Sequence, residues 1–210
     1  MTADLPNLLV AWSIQATGVL SPGPGVAFIL GVATRAGRAP ALAACLGIGL
    51  GALVLAILTV LGFAAILAES RPLLIAVRWI GAAYLAWLAI SAFRRAISPP
   101  PPPMAAQATD DRSLLGRIFA GFIFQIANPK AIFFWIAVAA VGALDAVSTT
   151  SLLIFLVGAL LISSVGHGGW AIVLSSTPFR ALYTRARRWI EAALGTFFGL
   201  FAMNLAAGRS

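Results

Sequence analysis

Two short stretches of this sequence combine residues that interrupt a helix with residues that could hold a ligand. The first is Ser21-Pro22-Gly23-Pro24-Gly25. Each proline removes a backbone donor and crowds the preceding turn, and Gly23 and Gly25 reach backbone angles that other residues avoid. The second is Asn128-Pro129-Lys130. A lysine is a compact point charge on a flexible stem. Lys130 could hold a carboxylate, move a proton, cap carbonyls freed at the first break, or reach for the surface. The chain has thirteen arginines and this one lysine, so the exception sits beside a helix break. Asn128 could satisfy freed backbone groups or touch substrate. Trp135, with Phe133 and Phe134, could wall a pocket.

The remaining titratable residues suggest less. Asp4, Glu69, Asp145 and Glu191 fall at span ends or in loops, and Asp110 and Asp111 in a polar linker. Glu191 reads as a first-turn anion favoured by a helix dipole. Lys130 is then the leading titratable group. His167, the only histidine, reads as a hydrogen-bonded interface residue. One His, one Cys and no carboxylate cluster assemble no metal site. No Gly-x-Ser-x-Gly elbow supports a hydrolase.

The elements that must position these residues follow from composition. The chain has 210 residues, 61% hydrophobic and 10% charged, against about 25% charged in a soluble domain. That excludes a globule in water, and the apolar content excludes disorder. Six stretches are long enough to cross a bilayer as helices: 5–30, 41–67, 72–93, 117–141, 149–174 and 189–206. Their continuous apolar content argues against a barrel of alternating strands. The leading segment lacks the basic region of a signal peptide, so the first span is read as retained. From Arg117, at about 1.5 Å per residue, Lys130 lies about 20 Å deep. A charge there is a functional hypothesis by default.

Arg35, Arg38, Arg94, Arg95, Arg112, Arg117, Arg180, Arg185, Arg187 and Arg188 fall on one side, and Arg71, Arg78 and Arg209 on the other. The basic side is cytoplasmic, which places both termini in the periplasm. The net charge of +8 is thus a topology signal, and nucleic acid is not an expected partner. Gly47, Gly49 and Gly51 in the second span let helices approach closely, with Cys45 a small buried hydrophobe. Trp12, Trp79, Trp87, Trp135, Trp170 and Trp189 mostly suit an interfacial belt.

The chain also reads as two similar halves. Arg78-Trp79-Ile80 with Ala82-Ala83 matches Arg188-Trp189-Ile190 with Ala192-Ala193, and Pro22 matches Pro129 at a near-equal offset. Residues 1–95 and 117–210 are read as inverted three-helix repeats, a transporter feature. The linker 96–116 between them carries Pro99–Pro103, a stiff polyproline spacer that could alternatively dock a partner.

At these residues the chain resembles the LysE/RhtB family of bacterial amino-acid exporters. The matching features are Ser21-Pro22-Gly23-Pro24, Gly81-Ala82-Ala83-Tyr84-Leu85, and Asn128-Pro129-Lys130-Ala131 followed by Phe134 and Trp135. The resemblance covers nearly the whole chain. It implies an inner-membrane exporter of amino acids or their derivatives, driven by an ion gradient, whose two broken segments meet near the membrane centre. The family motif usually ends Pro-Gly-Pro-Asn or Pro-Gly-Pro-Asp, and here the last position is Gly25.

The expectation is an all-α, six-helix secondary transporter, not an enzyme, working by alternating access. Its substrate site comprises Pro22, Gly23, Pro24, Gly25, Asn128, Pro129, Lys130 and Trp135, with Lys130 on the substrate carboxylate. Its partners are a small-molecule substrate, the lipid bilayer and a coupling proton, with a homo-oligomer left open. No cofactor or metal is expected. The rivals are a non-transporting assembly partner and an exporter of another solute.

Overall fold

The computed structural model describes residues 4–21, 23–69, 71–98, 112–140 and 148–207. Pro22, the Pro99–Pro103 run, Asp110, Asp111 and Asp145 lie outside them. Among the described residues the chain is helical throughout. In order the helices are α1 (Leu5–Leu20), α2 (Pro24–Ala36), α3 (Arg38–Glu69), α4 (Arg71–Ile97), α5 (Leu114–Ala127), α6 (Pro129–Ala140), α7 (Thr149–Ser175) and α8 (Thr177–Ala207).

Four segments are long and apolar enough to cross a membrane singly: Arg38–Gly62, Arg78–Ile97, Thr149–Ser175 and Arg185–Ala207. Two more candidate spans are broken. α1 and α2 meet at a bend of 52°, and α5 and α6 at 61°. The break expected at the prolines is present in both, and α2 and α6 each open on a proline, Pro24 and Pro129. Proline suits a first helical position because the amide it lacks has no partner there. Pro24 and Pro129 thus hold the same place, the first position of the helix after a break.

Two other boundaries differ from expectation. The first span runs on through α2 to Ala36, where Gly37 turns the chain with φ 89°, a value that favours glycine. α8 starts at Thr177, because the Arg- and Ala-rich segment before Trp189 is good helix-forming sequence and continues the apolar helix after it.

α3 lies between α5 and α7, and α4 pairs along α8 and against α6. Small residues make the first contact. A Cβ on Gly47 would strike the Ile118 carbonyl, and one on Gly121 would strike the Ala44 carbonyl, so α3 and α5 touch backbone to backbone. Cys45 is buried, as expected. One core gathers Ile14, Leu85, Trp135, Phe155 and Phe198; a smaller one gathers Ile29, Ile48 and Trp170. On the outside, α7 presents Leu153, Val157, Leu161 and Val165, all more than half exposed. A stripe as apolar as the core suits lipid rather than water.

The ends are tied by polar contacts. Ser148 caps α7, its Oγ accepting from the Ser151 amide at 3.3 Å. Asp4 Oδ2 accepts from the Ser148 amide at 3.1 Å and the Ser151 hydroxyl at 2.6 Å. These bonds, the Ser151 hydroxyl foremost, hold the Asp4 carboxyl below its ordinary value.

Candidate functional site

A broken helix leaves backbone groups that membrane interior cannot hydrate, and their partners define the site. At the first break the Ser21 amide donates to the Thr17 carbonyl. The Val19 carbonyl accepts from Trp170 Nε1 at 3.1 Å. The Ser21 carbonyl accepts from Lys130 Nζ at 3.0 Å. At the second break Asn128 Oδ1 accepts from the Lys130 amide at 3.1 Å, and the Lys130 carbonyl accepts from the Tyr84 hydroxyl at 2.8 Å. Lys130 therefore links the two breaks. It caps a freed carbonyl of the first, and an ammonium has two further donors to give.

Around this link lies a cavity of about 50 Å³, lined by residues of α1, α2, α5, α6 and α7. Gly25, Asn128, Lys130 and Trp135 are on its wall. Gly23 borders Lys130, since a Cβ there would lie 3.1 Å from Nζ. Pro24 and Pro129 shape the breaks from the first positions of α2 and α6 and are not on the wall. Trp135 is buried, edge-on to Phe134 and Phe155. Of the six tryptophans, Trp79, Trp87 and Trp189 are exposed, whereas Trp135 and Trp170 are buried and Trp12 packs against the core. The belt reading fits Trp79 and Trp189, which lie near span ends, whereas Trp87 is exposed at the middle of the span Arg78–Ile97.

Several wall residues were not among the expected site residues. Gln15, Gln125, Ser163 and His167 are buried and line the cavity. Gln15 Nε2 donates to the Ala159 carbonyl at 2.7 Å and lies 3.3 Å from Ser163 Oγ. His167 is hydrogen-bonded, as expected, through Nδ1 to the Ser163 carbonyl at 2.8 Å. It is not an interface residue, because α7 continues to Ser175 and turns His167 inward. Gln15 and Ser163 had one usable signal, a polar side chain within an apolar helix.

Glu191 also departs from expectation. α8 begins well before it, so it is no first-turn anion. It is fully buried and ion-paired with Arg95 at 2.8 Å across the α4–α8 contact.

The family described as LysE type translocator matches residues 16–209. The threonine efflux protein of Escherichia coli K12 is 29% identical over 201 residues, covering 93% of this chain and 95% of that protein. The leucine efflux protein of Enterobacter sp. strain 638 is 26% identical over 189 residues, covering 90% and 88%. An uncharacterized membrane protein of Pseudomonas aeruginosa is 32% identical over 123 residues, and that match spans 56% of its length. No solved structure matches the chain.

Proposed function

The chain belongs to the LysE type translocator family, and on that premise we propose that it exports neutral amino acids or their derivatives across the bacterial inner membrane. The observation that carries this reading is the Lys130–Ser21 link between two broken spans at a cavity wall. Half-helix N-termini aimed at a midplane cavity are where transporters hold anionic substrate groups. In this reading the substrate carboxylate takes the free donors of Lys130, with the N-termini of α2 and α6 adding their dipoles. The cavity wall carries no carboxylate among the described residues, so it suits a neutral side chain better than a basic one. Relatives named for threonine and leucine efflux agree with that choice. Trp135 and Phe134 supply the apolar wall.

Two inverted three-helix halves, 1–95 and 117–210 joined by the 96–116 linker, work by alternating access. Both halves have a broken first span, and α4 and α8 pair with each other. Arg78 donates to the Leu205 and Ala206 carbonyls near the end of α8, while Arg188 shares a groove with Ala96 and Ile97 at the end of α4. That reciprocity supports the repeat. The cavity of about 50 Å³ accepts about three to five waters, at roughly 10–15 Å³ each, so an amino acid enters only after the halves move. The arginine-rich connections face the cytoplasm and both termini the periplasm. A proton is the coupling ion, with Lys130 the leading titratable group to carry it.

The test is efflux. Bacterial cells fed peptides accumulate a mixed amino-acid pool, and each amino acid is then followed in the medium with and without this protein. Faster release of one or a few neutral amino acids is expected. Lys130→Met abolishes that release while membrane insertion is retained. Unchanged release by the variant removes Lys130 from the binding role, and no release by the native chain refutes the exporter.

A further inference from the structure

The cavity holds a second set of polar groups, and all of them accept. The Ala159 carbonyl can only accept, so Gln15 must present its NH₂ group to it. The other end of that amide, Oε1, is buried without a partner in a side chain that lines the cavity. A buried acceptor left without a partner keeps its full desolvation cost, so an orphan on a cavity wall asks for a donor. His167 makes the same case by another route. Nδ1 faces the Ser163 carbonyl and must carry the ring proton. In the neutral imidazole, Nε2 is then an acceptor.

Gly25 leaves that acceptor open. A Cβ at position 25 would sit 3.3 Å from His167 Nε2, so a larger side chain there would cover the nitrogen. Position 23, two residues earlier, borders Lys130 Nζ instead. Lys130 and His167 therefore flank the first turn of α2, one offering donors and the other an acceptor. Ser21 Oγ, buried without a partner on the same wall, adds a hydroxyl at the Lys130 end.

We infer that Gln15 Oε1 and His167 Nε2 form an ammonium subsite, facing a carboxylate subsite at Lys130 and Ser21, so that the cavity selects the zwitterionic head of an α-amino acid. This rests on the exporter reading and deepens it. The absence of a side chain at Gly25 is then part of the recognition, because it clears the path to His167.

The experiment uses the purified full chain in proteoliposomes loaded with the twenty common L-amino acids. Each amino acid released is then compared with its 2-hydroxy acid, which keeps the carboxylate and side chain but carries no ammonium. The native protein is expected to release the amino acid at least tenfold faster. His167→Asn keeps a polar group near Nδ1 and removes Nε2; it is expected to lose most of that preference. His167→Gln places a polar group near Nε2 and is expected to restore part of it. Gln15→Leu is expected to lower the preference as well. Native protein that releases no amino acid refutes the exporter reading and this inference together. Native protein that releases one, with a preference His167→Asn leaves unchanged, overturns the ammonium subsite alone. So does native protein that handles both acids equally.

Discussion

Arg95 and Glu191 show what a single pair of side chains does inside this molecule. Glu191 is 0% exposed, and only Oε1 has a partner, Arg95 Nε at 2.8 Å; Oε2 has none. Removing one member of a buried ion pair strands the other charge and costs about 3–5 kcal/mol, whereas replacing both with apolar groups is often neutral. Arg95 is 25% exposed, so water relieves part of the penalty and the lower end applies. Arg95→Met is expected to destabilise the protein by about 3 kcal/mol. Arg95→Met with Glu191→Met is expected to recover most of it. Thermal unfolding in detergent of the two single variants and the double variant checks this. Additive losses would mean that the pair contributes no coupling.

Elements meet here where side chains are missing. α3 and α5 approach until Gly47 faces the Ile118 carbonyl and Gly121 faces the Ala44 carbonyl. Backbone cannot turn aside as a side chain can, so Gly121→Ala must push the helices apart. Overpacking of this kind costs about 1–3 kcal/mol, and a lowered unfolding temperature with normal membrane insertion is the expected result. An unchanged unfolding temperature would show that the two helices separate freely. The small-residue seam was legible in Gly47, Gly49 and Gly51, and the two breaks in their prolines, since these residue types act through their own backbone. Gln15 and His167 were not legible as wall residues. Their meaning depends on which face of α1 and α7 turns inward, and helices apolar on most sides give no periodicity to fix that face. Glu191 was misplaced for a related reason: hydropathy marks where a helix enters lipid, not where it begins, and α8 begins at Thr177.

The arrangement of the whole molecule bears on how a substrate would cross. α3 and α7 contact each other, as do α4 and α8; in the two-repeat reading each pair joins equivalent elements of the two halves. Lys130 of one half holds the Ser21 carbonyl of the other. In the proposed mechanism, movement between halves must break or exchange that bond, and a substrate carboxylate would offer Lys130 a charged acceptor in place of a neutral one, a stronger hydrogen bond. Substrate would therefore lower the cost of parting the halves, as alternating access requires. Val26 and Ala131 line the cavity without belonging to the polar subsites, so cysteines there report access without removing a ligand group. In a Cys45→Ala background, Val26→Cys and Ala131→Cys are expected to react with a membrane-impermeant thiol reagent from either side of the membrane. Adding the exported amino acid to one side is expected to shift the ratio of inside to outside reactivity. Reaction from one side only, at a ratio substrate does not change, would mean that the halves do not alternate about this cavity.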